Sequence, residues 1–314
     1  MQNRSALRRC LVTLPAGLLA LFLGGCQAVL FHAVNAASSD GGLSEHRNIE
    51  FDPSHHLRLD MYAPRDARHL PVVVFFYGGS WQDGKRQWYH WMGETLARHG
   101  LVVAISDYRK YPQVRMDGFM TDAANAVAWV HAHAADYGGD PKVLFLMGHS
   151  AGAHIGALLA TDKRWLSSVG MKPQDLAGFI GLAGPYDFLP LTDPAFVGMF
   201  GATPQAQAHS QPVNFVDGDE PPMLLLQGTS DDRVKPRNAR SLADRLHSLG
   251  EPVQIHLYSD VGHARLLLSF SRPWRGDCTA LRDTLNFIRD QTSLVVRRDD
   301  GEGTAKLTAM SCGP

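Results

Sequence analysis

A serine hydroxyl becomes a useful nucleophile only when a base takes its proton, and this chain has one serine in a suitable setting. Ser150 lies in Gly148-His149-Ser150-Ala151-Gly152, after the apolar run Val143 to Met147 and ahead of a small-residue stretch to Thr161. A G-x-S-x-G turn between strand and helix is too tight for side chains at its flanks, and it lifts the hydroxyl above the sheet. The following helix adds positive potential at its N-terminus. His263 is the expected base. The chain holds 15 histidines, and position singles this one out, because it follows Leu257 to Gly262 at the end of the last strand. An orienting acid belongs after the preceding strand, where Gly228-Thr229-Ser230-Asp231-Asp232-Arg233-Val234 offers two. Asp231 is expected over Asp232, since Val234, three residues on, can turn into the core and fix the loop. Asp232 is left a turn or capping role. The acid would hold the imidazole tautomer and stabilise the imidazolium.

Acyl transfer also needs donors for an oxyanion. Tyr77-Gly78-Gly79-Ser80-Trp81 follows the first buried strand, and paired glycines let backbone approach a substrate closely. The amides of Gly79, Ser80 and Ala151 are the expected donors. Gly78 shapes the loop, and Tyr77, Gly78 and Trp81 are expected to contact substrate.

The elements that place these residues alternate. Leu57, Leu59 and Met61 show strand period, and 71–77, 101–105, 143–147, 179–183 and 223–226 are apolar runs suited to buried strands. Val253, Ile255 and Leu257 form a further strand. Between them lie helical stretches at 88–99, 117–137, 151–161 and 237–249, with a mostly helical segment over 264–290. Such alternation implies an α/β fold, with a mostly parallel central sheet and helices on both faces. Ligands then bind beyond the carboxyl ends of the strands, which is where the chosen residues sit. Residues 185–220 interrupt the pattern as an insertion. Phe196, Met199, Phe200 and Phe215 there would either line an acyl pocket or pack on the scaffold.

Composition narrows the function classes. The 314 residues are 45% hydrophobic and 19% charged, with net charge −1, so no basic footprint for nucleic acid is present. No repeat or low-complexity tract appears. No metal or organic cofactor is implied by the residues chosen, and oligomeric state is not readable.

Together these residues resemble the α/β-hydrolase superfamily, in its esterase/lipase branch of hormone-sensitive-lipase-like and kynurenine formamidase-like enzymes. That branch carries His-Gly-Gly-x-Trp at the oxyanion loop, where this chain has Tyr77 to Trp81 with Tyr77 replacing the His. It carries Asp-Tyr-Arg, here Asp107-Tyr108-Arg109, then Gly148 to Gly152, Gly-x-x-Asp-x-x-Val at 228–234, and Gly262-His263. The resemblance covers about residues 50–290 and implies a carboxylic-ester hydrolase for small to medium acyl groups. It leaves open an amide hydrolase, such as a formamidase or peptidase. A different class, an inactive membrane-tethered binding protein on this scaffold, is opposed by the intact Ser, acid and His.

The N-terminus reads as an address. Arg4, Arg8 and Arg9 precede an apolar run from Leu11 to Leu23, shorter than a membrane span, and Leu23-Gly24-Gly25-Cys26 follows. The segment resembles a bacterial lipoprotein signal, which implies cleavage after residue 25 and a lipid anchor on Cys26. Gln27 after the Cys then favours the outer membrane, facing periplasm or cell surface. Loss of the three arginines leaves the body mildly acidic. The expected layout is a signal at 1–25, a tether with an early helix at 26–48, the hydrolase domain at 49–291 and a polar tail at 292–314. Cys278 and Cys312 remain, and in an oxidising compartment they are expected to bond.

Overall fold

Continuous apolar runs become buried strands here because both sheet faces are covered. The computed structural model describes residues 31–36, 41–276 and 278–299. A short helix, α1, spans 31–36. Strands β1 Leu43–Asp52, β2 Leu57–Pro64 and β3 Leu70–Phe76 follow, then α2 His90–Ala97, β4 Val102–Ser106 and α3 Met116–His133. Next come β5 Gly139–His149, α4 Ala151–Thr161, α5 Lys163–Ser167 and β6 Gly178–Leu182. The chain continues through α6 Pro194–Phe200, α7 Pro204–His209, β7 Met223–Gly228 and α8 Arg237–Ser248, and closes with β8 Val253–Tyr258, α9 His263–Leu268 and α10 Ala280–Asp299.

The eight strands form one sheet in the order β1-β2-β4-β3-β5-β6-β7-β8. β2 pairs antiparallel with β1 and β4, and the remaining pairs are parallel. Successive strand residues point to opposite faces. In β6, Gly178 abuts Phe287 of α10, while Phe179 abuts Gly156 of α4. Those two helices therefore cover opposite faces, as expected. β3 pairs with both β4 and β5, so the strand order reverses at β3. Loops leaving the carboxyl ends of β3 and β5 diverge there and open a crevice.

Three expectations need correction. β1 begins at Leu43, inside the stretch read as tether. Its residues Ser44 to Glu50 are mostly half-buried or exposed, so no apolar period marks it. At the other end α10 runs to Asp299, where an irregular tail was expected from 292. The helical segment over 264–290 is also broken, because Pro273 cannot continue a helix and a 3₁₀ turn forms at Arg272–Trp274.

The insertion at 185–220 folds as α6, α7 and a 3₁₀ turn at Pro212–Phe215. Asp193 and Thr203 cap the two helices by accepting from Ala195 N and Ala206 N. Cys278 is buried and bonds no other described cysteine, and Cys312, its expected partner, lies outside the described residues. So does Cys26. Among the described residues no helix is long and apolar enough to cross a membrane.

Candidate active site

The turn after β5 explains its own sequence. Ser150 sits at φ 56°, ψ −121°, a conformation costing on the order of 1–3 kcal/mol that neighbours must enforce. Its amide donates to Leu182 O at 2.9 Å, tying the turn to β6. A Cβ on Gly148 would stand 2.3 Å from Gly152 O, and one on Gly152 would stand 2.0 Å from Phe76 O. Both positions therefore admit only glycine. Ala151 opens α4, so its amide is among those a helix start leaves unpaired.

His263 is the first residue of α9, and its Nδ1 donates to Asp231 Oδ2 at 2.8 Å. With a carboxylate on Nδ1, the other ring nitrogen is left as the acceptor. Asp231 is fixed in turn. Its Oδ1 accepts from Arg233 N at 3.0 Å and Val234 N at 2.9 Å, and its Oδ2 also accepts from Gln227 Nε2 at 3.1 Å. Burial pushes the Asp231 carboxyl up, but the hydrogen bond and charge of His263, with Val234 N and Gln227, outweigh it and hold the group below its usual value. Asp232 is exposed and makes no such contact.

Ser150, His263, Gly79 and Ser80 line one cavity of about 110 Å³. The Ser150 hydroxyl makes no hydrogen bond among the described residues, and catalytic contacts of this kind often tighten only around substrate. Gly78 lies against the serine, since a Cβ there would reach Ser150 Cβ at 3.0 Å. Gly79 has φ +135°, and a Cβ on it would fall 2.2 Å from Asp83 O. Its carbonyl accepts from Gln82 N and Asp83 N, which closes the loop. The amides of Gly79, Ser80 and Ala151 make no hydrogen bond among the described residues, which leaves them available to a ligand.

Tyr77 and Trp81, expected to contact substrate, stand behind the loop. Tyr77 is fully buried, and its hydroxyl donates to Asp107 Oδ1 at 2.9 Å while accepting from Lys110 Nζ at 2.9 Å. Burial and then Asp107 push its phenol well up, so it stays a donor. Tyr108 OH donates to Tyr77 O at 2.9 Å, and the buried Arg86 bridges Asp60 and Asp107. The phenol thus buttresses the oxyanion loop. Trp81 Nε1 donates to His154 Nδ1 at 3.2 Å, and Phe196 and Phe200 meet its ring edge to face. Of the two roles open to those phenylalanines, packing on the scaffold is the one found. Phe215 lies under the Arg164 guanidinium, and Met199 is buried in the core.

His149 packs its ring 4.7 Å from that of His263. Burial first, then the charge of His263, push its imidazole well down, so it is neutral. The cavity is also lined by Phe31 from α1, Trp88 and Tyr89, which lie outside the motifs, and by Arg233, which lies inside the 228–234 motif. Phe31 stacks on Trp88 with ring centroids 5.6 Å apart. Arg233 was reachable from its place beside Asp231, whereas Phe31 fell in the stretch read as tether.

Two described clusters have metal-ligand residue types, Glu45-His90-Glu94 and Asp52-His55-Asp122. Neither lines the cavity. Arg47 pairs Glu45 at 2.6 Å, Arg98 pairs Glu94 at 3.5 Å and Arg109 pairs Asp122 at 2.6 Å, so guanidinium groups already serve these carboxylates.

Comparison with known proteins bears on the family and the fold. The BD-FAE family model matches residues 59–246. Isoprenylcysteine alpha-carbonyl methylesterase ICME of Arabidopsis thaliana is 30% identical over 281 residues, which are 83% of this chain and 64% of that protein. Esterase LipC of Mycobacterium tuberculosis is 28% identical over 228 residues, 66% of this chain and 55% of its own. The chain thus spans between half and two thirds of these relatives. The crystal structure of esterase B from Lactobacillus rhamnosis superposes with a TM-score of 0.74 at 19% identity, covering 91% of this chain and 97% of that one. The fold is that of the α/β-hydrolases.

Proposed function

The chain belongs to the BD-FAE family, and from that membership and the site geometry we propose that it hydrolyses carboxylic esters through a serine acyl-enzyme. The carrying observation is the 2.8 Å bond between Asp231 and His263 on the cavity that holds Ser150. In this reading the free ring nitrogen of His263 takes the Ser150 proton as the hydroxyl attacks the carbonyl. The amides of Gly79, Ser80 and Ala151 receive the oxyanion. His263 then protonates the departing alcohol, and water, activated by the same ring, releases the acid.

Support for an ester over an amide comes from relatives named as esterases and methylesterases. A cavity of 110 Å³ is smaller than the roughly 150 Å³ that holds benzene, which favours a short acyl or alkoxy group. The test is labelling with a fluorophosphonate probe, followed by rates on p-nitrophenyl acetate and butyrate against N-formyl and peptide substrates. Labelling lost in Ser150→Ala and faster ester turnover are expected. A folded, unlabelled wild type would favour the inactive-scaffold alternative.

We also propose that the protein is exported and lipid-anchored through Cys26 in the outer membrane, on the strength of the Leu23-Gly24-Gly25-Cys26 sequence. Growth with labelled fatty acid should mark the wild type and not Cys26→Ala. An unlabelled wild type would contradict this.

A further inference from the structure

Among the described residues lining the catalytic cavity, one carries a permanent charge. The cavity is otherwise formed by glycines, aromatic and aliphatic side chains, Ser80, and the site's own Ser150, His149 and His263. The exception is Arg233. Its backbone is registered to the site, because its N–H donates to Asp231 Oδ1 at 3.0 Å. The residue is exposed, and its guanidinium makes no ion pair or hydrogen bond among the described residues. This sets it apart from Arg86, Arg109 and Arg164, each of which is paired with an aspartate. Burial first, then His263 and Arg233, hold the His149 imidazole down. The Arg233 charge is therefore within electrostatic reach of a ring that packs against His263.

An unpaired guanidinium on a small, otherwise uncharged cleft does nothing evident for folding. It offers a planar fork of donors matched to a carboxylate or phosphate. It also raises the local concentration of anions at the mouth. We propose that Arg233 is a specificity-determining residue and that the substrates are esters bearing an anionic group, a carboxylate or phosphate, beside the scissile bond. This rests on the ester-hydrolase reading and adds the charge of the substrate to it. The anion can sit on the acyl or the alcohol side, and the two are separable by experiment.

Full-length wild type, Arg233→Gln and Arg233→Lys are compared on two matched pairs. Monomethyl succinate against methyl butyrate tests the acyl side, and 3-acetoxybenzoate against phenyl acetate tests the alcohol side. The readout is the ratio of kcat/KM for the anionic over the neutral ester in each pair. In one pair the wild-type ratio should fall about tenfold or more in Arg233→Gln, with the loss mainly in KM. It should recover only in part in Arg233→Lys, which keeps the charge but loses the fork, and shrink in the wild type as salt is raised. Fluorophosphonate labelling of Ser150 in each variant shows that the site is assembled. Ratios equal in wild type and Arg233→Gln for both pairs, with labelling intact, would overturn the proposal while leaving esterase activity standing. A wild type that neither labels nor cleaves any of the four esters would overturn the underlying reading instead.

Discussion

Replacing Asp231 by Asn tests the site with almost no change of shape. Oδ1 accepts from two backbone amides, Arg233 N and Val234 N, so the Asn side chain keeps its oxygen there. Its NH₂ must then take the place of Oδ2, facing His263 Nδ1 and Gln227 Nε2. An NH₂ can only donate, so Nδ1 becomes an acceptor and the ring hydrogen moves to the other nitrogen. That tautomer cannot accept the Ser150 proton. The same exchange in a serine protease costs about 10⁴ in kcat, which is about 5.4 kcal/mol of transition-state stabilisation. Gln227 Nε2 also loses one partner but keeps Val234 O and Gly228 O, so the penalty on stability is that of one hydrogen bond, about 0.5–1.5 kcal/mol. The assay is steady-state hydrolysis of p-nitrophenyl butyrate with thermal melts in parallel. The expected result is a loss near 10⁴ in kcat for Asp231→Asn, a melt lowered by several degrees, and a change within about twofold for the exposed Asp232→Asn. Equal losses in the two variants, or a larger loss at Asp232, would refute the assignment of the acid.

Three more outcomes follow from particular contacts. His154 is fully buried, accepts from Trp81 Nε1 and donates to Ser210 O, and burial pulls its value from 6.5 to about 4. Its stabilising contribution is complete above pH 6.5 and falls by about 3 kcal/mol on acidification to pH 4, so a melt series should show that slope in the wild type and a flatter one in His154→Gln. Gly152→Ala drives a methyl to 2.0 Å from Phe76 O, and should cost about 3 kcal/mol and remove activity; a wild-type melt would contradict the packing argument. Phe31→Ala removes a cavity wall, and should raise the octanoate-to-butyrate ratio of kcat/KM by about tenfold, whereas an unchanged ratio would show that α1 does not bound the acyl site.

The site was more legible in the sequence than the walls around it. Ser150 and Asp231 each follow a buried strand and His263 follows the half-exposed edge strand β8, and a tight turn after a strand admits few residue types, so the chemistry left spacing that can be read. β1 left none, because a partly exposed edge strand with the composition of Leu43–Asp52 lacks both the apolar run and the alternation. Phe31 could not be placed either, since six helical residues beyond the domain's expected start give no sign of reaching the cavity. From its place in the motif Tyr77 reads as a substrate contact, and whether its phenol takes over the hydrogen bond of the family His or widens the site is not readable there. Its real role depends on Asp107 and Lys110, which lie some thirty residues away in the chain and meet it only in the fold. Phe196 and Phe200 show the same limit: apolar residues in an insertion can line a pocket or fill the core, and only tertiary contacts with Trp81 and His154 decide.

The central claim is covalent catalysis at Ser150, and acid-quenched mass spectrometry during turnover of p-nitrophenyl acetate tests it most directly. The account predicts an acetyl adduct on the peptide containing Ser150, decaying with the rate of turnover and absent from Ser150→Ala. Hydrolysis that persists in Ser150→Ala, or an adduct on any other residue, would contradict it.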